Sequence, residues 1–124
     1  IETVPEAIED AKENAKINKI ENAEFIVGNV EDVLPEFVRK NKTKPDAVFI
    51  DPPRKGCDKK VIETLLEVEP QKIVYISCNP ATLARDLKML EAKYEIKEVT
   101  PVDMFPYTSH VECCSVLYLK DSIQ

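Results

Sequence analysis

Two short apolar runs, "DAVFID" at 46–51 and "KIVYIS" at 72–77, constrain this chain more than any other feature. Each is too short for a helix and too continuously apolar for a half-solvated strand, so each reads as a strand buried on both faces. Between them lies "DKKVIETLLEVE" at 58–69, with Asp58 placed to cap a helix and Val61, Ile62, Leu65 and Leu66 turned inward. Strand, helix, strand implies parallel pairing through a right-handed crossover.

The rest of the chain extends the pattern. "TVPEAIEDAKENAKINKI" puts Val4, Ile8, Ala11 and Ala15 on one helical stripe, with Pro5 near the first turn. "AEFIVG" at 23–28 reads as a short strand, and Val33, Leu34, Phe37 and Val38 mark a helix that Pro35 would break near its start. A further helix opens at Asn79-Pro80 and carries Leu83, Leu87 and Leu90. "YEIKEVTPV" at 94–102 and "HVECCSVLYL" at 110–119 have no helix between them and should pair antiparallel. The expected fold is α/β: a Rossmann-like sheet, mostly parallel with an antiparallel C-terminal strand, covered by helices on both sides.

At 124 residues, with 44% apolar and 32% charged residues, the chain supports one core. Ile1 reads as the tail of an element begun upstream, so residues 1–124 are expected to be the C-terminal portion of a larger domain. The net charge of −6 argues against this segment alone gripping a phosphate backbone. Cys57, Cys78, Cys113 and Cys114 show no C-x-x-C pairing, and with His110 the single histidine no metal site is expected. No apolar run reaches the roughly 18 residues of a membrane span, and no signal peptide is visible, so a cytoplasmic location is expected with no membrane partner.

In sheets of this kind ligands bind beyond the carboxyl ends of the strands. That rule selects Glu2, Gly28-Asn29, Asp51 with the following "PPRKG", Cys78, and the loop between the last two strands. Cys78 stands where a strand ends and a helix begins, beside unpaired N–H groups that favour a thiolate; it could equally fill space while Asn79 caps. In "DPPR", two prolines hold the chain extended and present Asp51 and Arg54 at the ligand edge. In "DMFPYTSHVE", His110 and Glu112 are two apart and should share one strand face, although Glu112 could simply be a charge turned outward on an edge strand.

"DPPRKG", "SCNPATLARDL" and "DMFPYTSHVE", in this order and spacing, resemble the catalytic half of the S-adenosylmethionine-dependent RNA (uracil-5-)-methyltransferases, most of all the bacterial 23S rRNA enzymes. The resemblance runs nearly the whole length. It implies a class I methyltransferase sheet truncated at its N-terminus, and a transfer of methyl from S-adenosyl-L-methionine to C5 of uracil in RNA. Cys78 would be the nucleophile and Glu112 the general base. Glu2 would hold the cofactor's ribose, Asn29 would lie near its adenine, and Asp51 near its methionine end. Arg54, Phe105 and His110 would touch the RNA substrate, Asn79 would organise the site, and Arg85 would either contact RNA or pack its helix.

There are departures. Tyr107 stands where the family often has His, and with only Gly28 and Gly56 present there is no Gly-rich cofactor loop. The isolated segment is therefore expected to be largely inactive. Two rivals remain: a base-flipping amino-methyltransferase, which would have no use for Cys78, and a noncatalytic module that packs on a partner or dimerises through an uncovered sheet edge.

Overall fold

A computed structural model describes residues 1–121; the chain divides into two units, Ile1–Lys42 and Thr43–Gln124.

The first unit is built on two helices. Helix α1, Pro5–Ile17, begins with Pro at its first turn, carries Glu6 there and Lys16 in its last turn, and buries Ile8 and Ala15; proline and charges alike suit the helix ends. Helix α2, Val30–Asn41, runs through Pro35 rather than breaking there. The proline costs one backbone bond near the start, and the helix stops at Lys42 in a left-handed turn with φ 53°. The expected strand at 23–28 is reduced to one parallel bridge, Glu2 with Val27, closed by Glu2 N–H to the Ile26 carbonyl (3.1 Å) and Gly28 N–H to the Glu2 carbonyl (3.0 Å).

The second unit is a four-stranded sheet with two helices. Its elements are β1 Ala47–Ile50, α3 Lys59–Val68, β2 Lys72–Ser77, α4 Pro80–Leu90, β3 Tyr94–Val102 and β4 Glu112–Leu119. The strand order is β1-β2-β4-β3, with β1 parallel to β2 and β4 antiparallel to both its neighbours. Three strands thus share a direction and the last one runs against them, as expected for the fold class. The last strand does not simply pair with its predecessor; it inserts beside β2.

The core of this unit lies on one face of the sheet. Ile73, Tyr75 and Ser77 alternate into it from β2, and Cys113, Ser115 and Leu117 from β4. Helix α4 closes that face with Leu83, Asp86, Leu87 and Leu90, and α3 adds Ile62, Leu65 and Val68. Within this unit the other face is more open: Phe49 is 70% exposed, and Ile76 and Tyr118 are also exposed. Strand β1 is therefore not buried on both faces, because it sits at the sheet's edge; the covering of both faces expected from sequence is not met by α3 and α4.

Candidate active site

The cleft is assembled by strand register. Ser77, the last residue of β2, pairs antiparallel with Cys113, one residue into β4. Cys78 and Glu112 each lie one step beyond that pair, so the register brings them to the same end of the sheet. Because Ser77 and Cys113 turn to the buried face, their neighbours turn the other way. Both are half-buried, and both line a cleft of about 270 Å³ together with Arg54, Phe105, Thr108 and His110. That volume is below the roughly 300–1,000 Å³ typical of sites for drug-sized ligands and suits a single planar ring.

His110 and Glu112 do meet in this cleft, but not on one strand face. Strand β4 starts at Glu112, and His110 belongs to the preceding loop. A local turn orders that loop, with Thr108 Oγ1 donating to the Phe105 carbonyl at 2.6 Å and accepting from His110 N–H at 3.3 Å. Arg54 Nη2 stands 3.4 Å from His110 Nε2, joining the two sides of the cleft.

The segment carrying Arg54 is fixed from helix α4. Asn79 is the helix N-cap: its Oδ1 accepts from Ala81 N–H (3.0 Å), while its Nδ2 donates to the Arg54 carbonyl (3.2 Å). Thr82 Oγ1 reaches the same carbonyl at 2.9 Å. Arg85 Nη2 donates to the Lys55 carbonyl (2.8 Å) and lies 3.3 Å from that of Cys57. Asp86, fully buried, accepts at Oδ2 from Cys57 N–H (2.8 Å) and from the Tyr75 hydroxyl (2.6 Å), and at Oδ1 from Arg85 Nε (3.0 Å). Gly56 passes so close that a Cβ there would lie 2.6 Å from Arg85 Nη2 and 2.7 Å from Asp86 Oδ2.

Asn79 and Arg85 thus have backbone partners in the neighbouring loop, and neither lines the cleft. Asp51 is exposed just after β1 and does not line it either. Glu2 and Asn29 belong to the first unit. Glu2 is exposed, and its Oε1 accepts from Val4 N–H (3.0 Å) and Thr3 Oγ1 (3.1 Å); the Val4 bond foremost holds its carboxyl below the usual range. Asn29 precedes α2 and reaches Asp32 at 3.4 Å.

Sequence reading missed Thr108, Thr82 and Asp86. For Asp86 a signal existed: with Leu83, Leu87 and Leu90 it completes an i, i+3, i+4, i+7 stripe, so it had to face the core. Burial raises the Cys57 thiol to about 11, and burial with the Asp86 bond pushes the Tyr75 phenol up. Among the described residues no group of three or more His, Cys, Asp or Glu is placed to hold a metal ion, and no helix is long and apolar enough to cross a membrane.

The model of one family, described as tRNA (uracil-5-)-methyltransferase, matches residues 2–120. The chain is 55% identical over 121 residues to an uncharacterized RNA methyltransferase of Listeria monocytogenes, covering 98% of this chain and 26% of that protein. It is 54% identical over 120 residues to one of Staphylococcus aureus, covering 97% and 26%. The chain thus spans about a quarter of these relatives' length. Among solved structures, the Pyrococcus abyssi tRNA (uracil-54, C5)-methyltransferase in complex with S-adenosyl-L-homocysteine superposes with a TM-score of 0.78 at 41% identity, covering 93% of this chain and 27% of that one. The METTL16 methyltransferase domain, at 15% identity and a TM-score of 0.68 over 96% of this chain and 49% of that one, shares the fold alone. With one family's model matching almost from end to end, the chain belongs to the tRNA (uracil-5-)-methyltransferase family.

Proposed function

We propose that this chain is the C-terminal portion of a catalytic domain that methylates C5 of uracil in RNA, and that Cys78 and Glu112 carry the chemistry. The observation that supports this most is the register of Ser77 with Cys113, which sets a thiol and a carboxylate on one ring-sized cleft.

Uracil C5 is too weak a nucleophile to take a methyl group directly. Addition of the Cys78 sulfur at C6 turns the ring into an enolate whose C5 is nucleophilic. S-adenosyl-L-methionine, when bound, supplies the electrophilic methyl group. Glu112 then removes the remaining C5 proton, the C5–C6 double bond re-forms, and the C6–sulfur bond breaks to release Cys78. Arg54 and His110 bound the ring's polar edge, and Phe105 offers a face for stacking.

For the cofactor, the sequence resemblance assigns Glu2 and Asn29 in the first unit and, separately, Asp51 in the second; Glu2 is an exposed acid kept ionised and fit to accept from ribose hydroxyls. The RNA is large-subunit rRNA, as the sequence resemblance implies, and the location is cytoplasmic. The segment by itself is inactive, since its net charge of −6 repels RNA and most of the length of its relatives lies outside the match. A second reading, in which the segment serves as a dimerisation module, has the exposed Phe49 on edge strand β1 in its favour.

The test uses the full-length protein with S-adenosyl-L-methionine and RNA containing 5-fluorouracil, whose fluorine blocks the final proton removal. A covalent RNA–protein band on a denaturing gel, absent in Cys78→Ala, is expected. A band that survives that substitution removes Cys78 from the mechanism.

A further inference from the structure

Asp86 is a fully buried carboxylate with no part in the chemistry above. Three donors converge on it from three places: the Cys57 amide in the loop after β1, the Tyr75 hydroxyl in β2, and the Arg85 guanidinium beside it. A carboxylate out of water is tolerated only when so satisfied, so moving any of the three donors away is costly. Asn79, Thr82 and Asp86 stand at i, i+3 and i+7, one face of α4, and that face meets the backbone of residues 54–57 with Arg85 alongside. The same helix starts two residues after Cys78. The helix that begins beside the thiol therefore also sets the loop that delivers Arg54.

We propose that Asp86 is a positioning residue: by anchoring Cys57 and Arg85 it fixes the Arg54 loop against α4, and so sets the Arg54 guanidinium beside His110 in the cleft that Cys78 also lines. This rests on the reading of the cleft as the uracil site. Asp86 acts only through Arg54 and touches no substrate. A purely structural role would lower stability without depending on what stands at position 54.

The experiment is a double-mutant cycle in the full-length protein, measuring kcat/KM for RNA methylation and the thermal midpoint of each variant. Asp86→Asn preserves shape but sets an amide where three donors point. It should lower kcat/KM by about 10²-fold, the scale of a misplacement near 1 Å. In an Arg54→Ala background it should cost less than about twofold further, because its effect travels through the missing side chain. Should Asp86→Asn fail to fold, Tyr75→Phe removes one donor and should show the same dependence on Arg54 with a smaller loss. Losses that multiply across the cycle overturn the proposal, as does an Arg54→Ala enzyme of unimpaired rate. Cys78→Ala is run in parallel: if it still methylates, the nucleophile assignment fails, while the Asp86–Arg54 coupling stays readable in the remaining activity.

Discussion

The two walls of the cleft are built in opposite ways. The wall at 54–57 makes no regular structure, yet each of its residues is hydrogen-bonded through its backbone, Arg54, Lys55 and Cys57 to α4 and Gly56 to the Pro53 carbonyl. The wall at 103–110 bonds chiefly to itself, through the Phe105–Thr108 turn, with the Arg54–His110 contact reaching across. Its apolar side chains stay exposed: Met104 at 61%, Phe105 at 50% and Tyr107 at full exposure. One wall is set by the core, and the other by its own turn. If the cleft takes a uracil of an RNA, as proposed above, it gains from both, since precision comes from packed elements and access from loops.

The sharpest way to break this contrast is Gly56→Ala. The residue sits at φ 77°, and its missing Cβ is the space that Arg85 and Asp86 occupy. Alanine would strain the backbone and displace a buried carboxylate network, so a loss of about 3 kcal/mol is expected in denaturant unfolding. A loss under about 0.5 kcal/mol, the ordinary range for surface changes, would mean that the tied wall is softer than its bonds imply.

A gentler probe is pH. The folded Cys57 thiol is raised to about 11 from a reference of 9.0, by burial first. A raised value favours the protonated folded state, so the stability it contributes is whole below the unfolded value and is lost as pH climbs from about 9 to about 11. The buried phenols of Tyr75 and Tyr94, both also raised, should steepen the decline at higher pH. In Cys57→Ala the first part of that decline should vanish from unfolding midpoints measured across alkaline pH. At neutral pH an alkylating reagent should modify half-exposed Cys78 well before Cys57.

These contrasts also explain what could be read from the chain. Helices α1, α3 and α4 and strand β2 were legible because their apolar periods are set by the residues themselves. Strand 23–28 was not: "AEFIVG" has the composition, but pairing needs a neighbour, and the structure gives it one residue, Glu2. The edge position of β1 was hidden too, since "DAVFID" looks alike at an edge or a centre. That Cys78, Arg54 and Glu112 come to one end of the sheet and line one cleft was legible from long motifs and strand-end logic. Asp86 was overlooked because an acid in "ARDL" resembles any solvated helix charge until its place on the leucine stripe is counted. Arg85 had two open readings, and its bonds to the Lys55 and Cys57 carbonyls favour packing.

The smallest expected effect belongs to the self-held wall and has the opposite sign. Tyr107 is fully exposed with φ 66°, a left-handed conformation that an aromatic residue adopts at a cost. Replacing it with glycine removes that strain, worth about 1 kcal/mol or somewhat more, while freeing the unfolded chain gives back about 0.4–1 kcal/mol. The net expectation for Tyr107→Gly is a gain near 0.5 kcal/mol by the same denaturant assay, against the loss at Gly56. Tyr107 does not line the cleft, but it stands between Phe105 and Thr108, which do, with its ring exposed. The same variant should then weaken RNA binding by the full-length protein, since an exposed ring beside a base-sized cleft is a stacking surface. If Tyr107→Gly loses stability and leaves RNA affinity unchanged, the loop is a structural turn, and the distinction between its wall and the one held by α4 disappears.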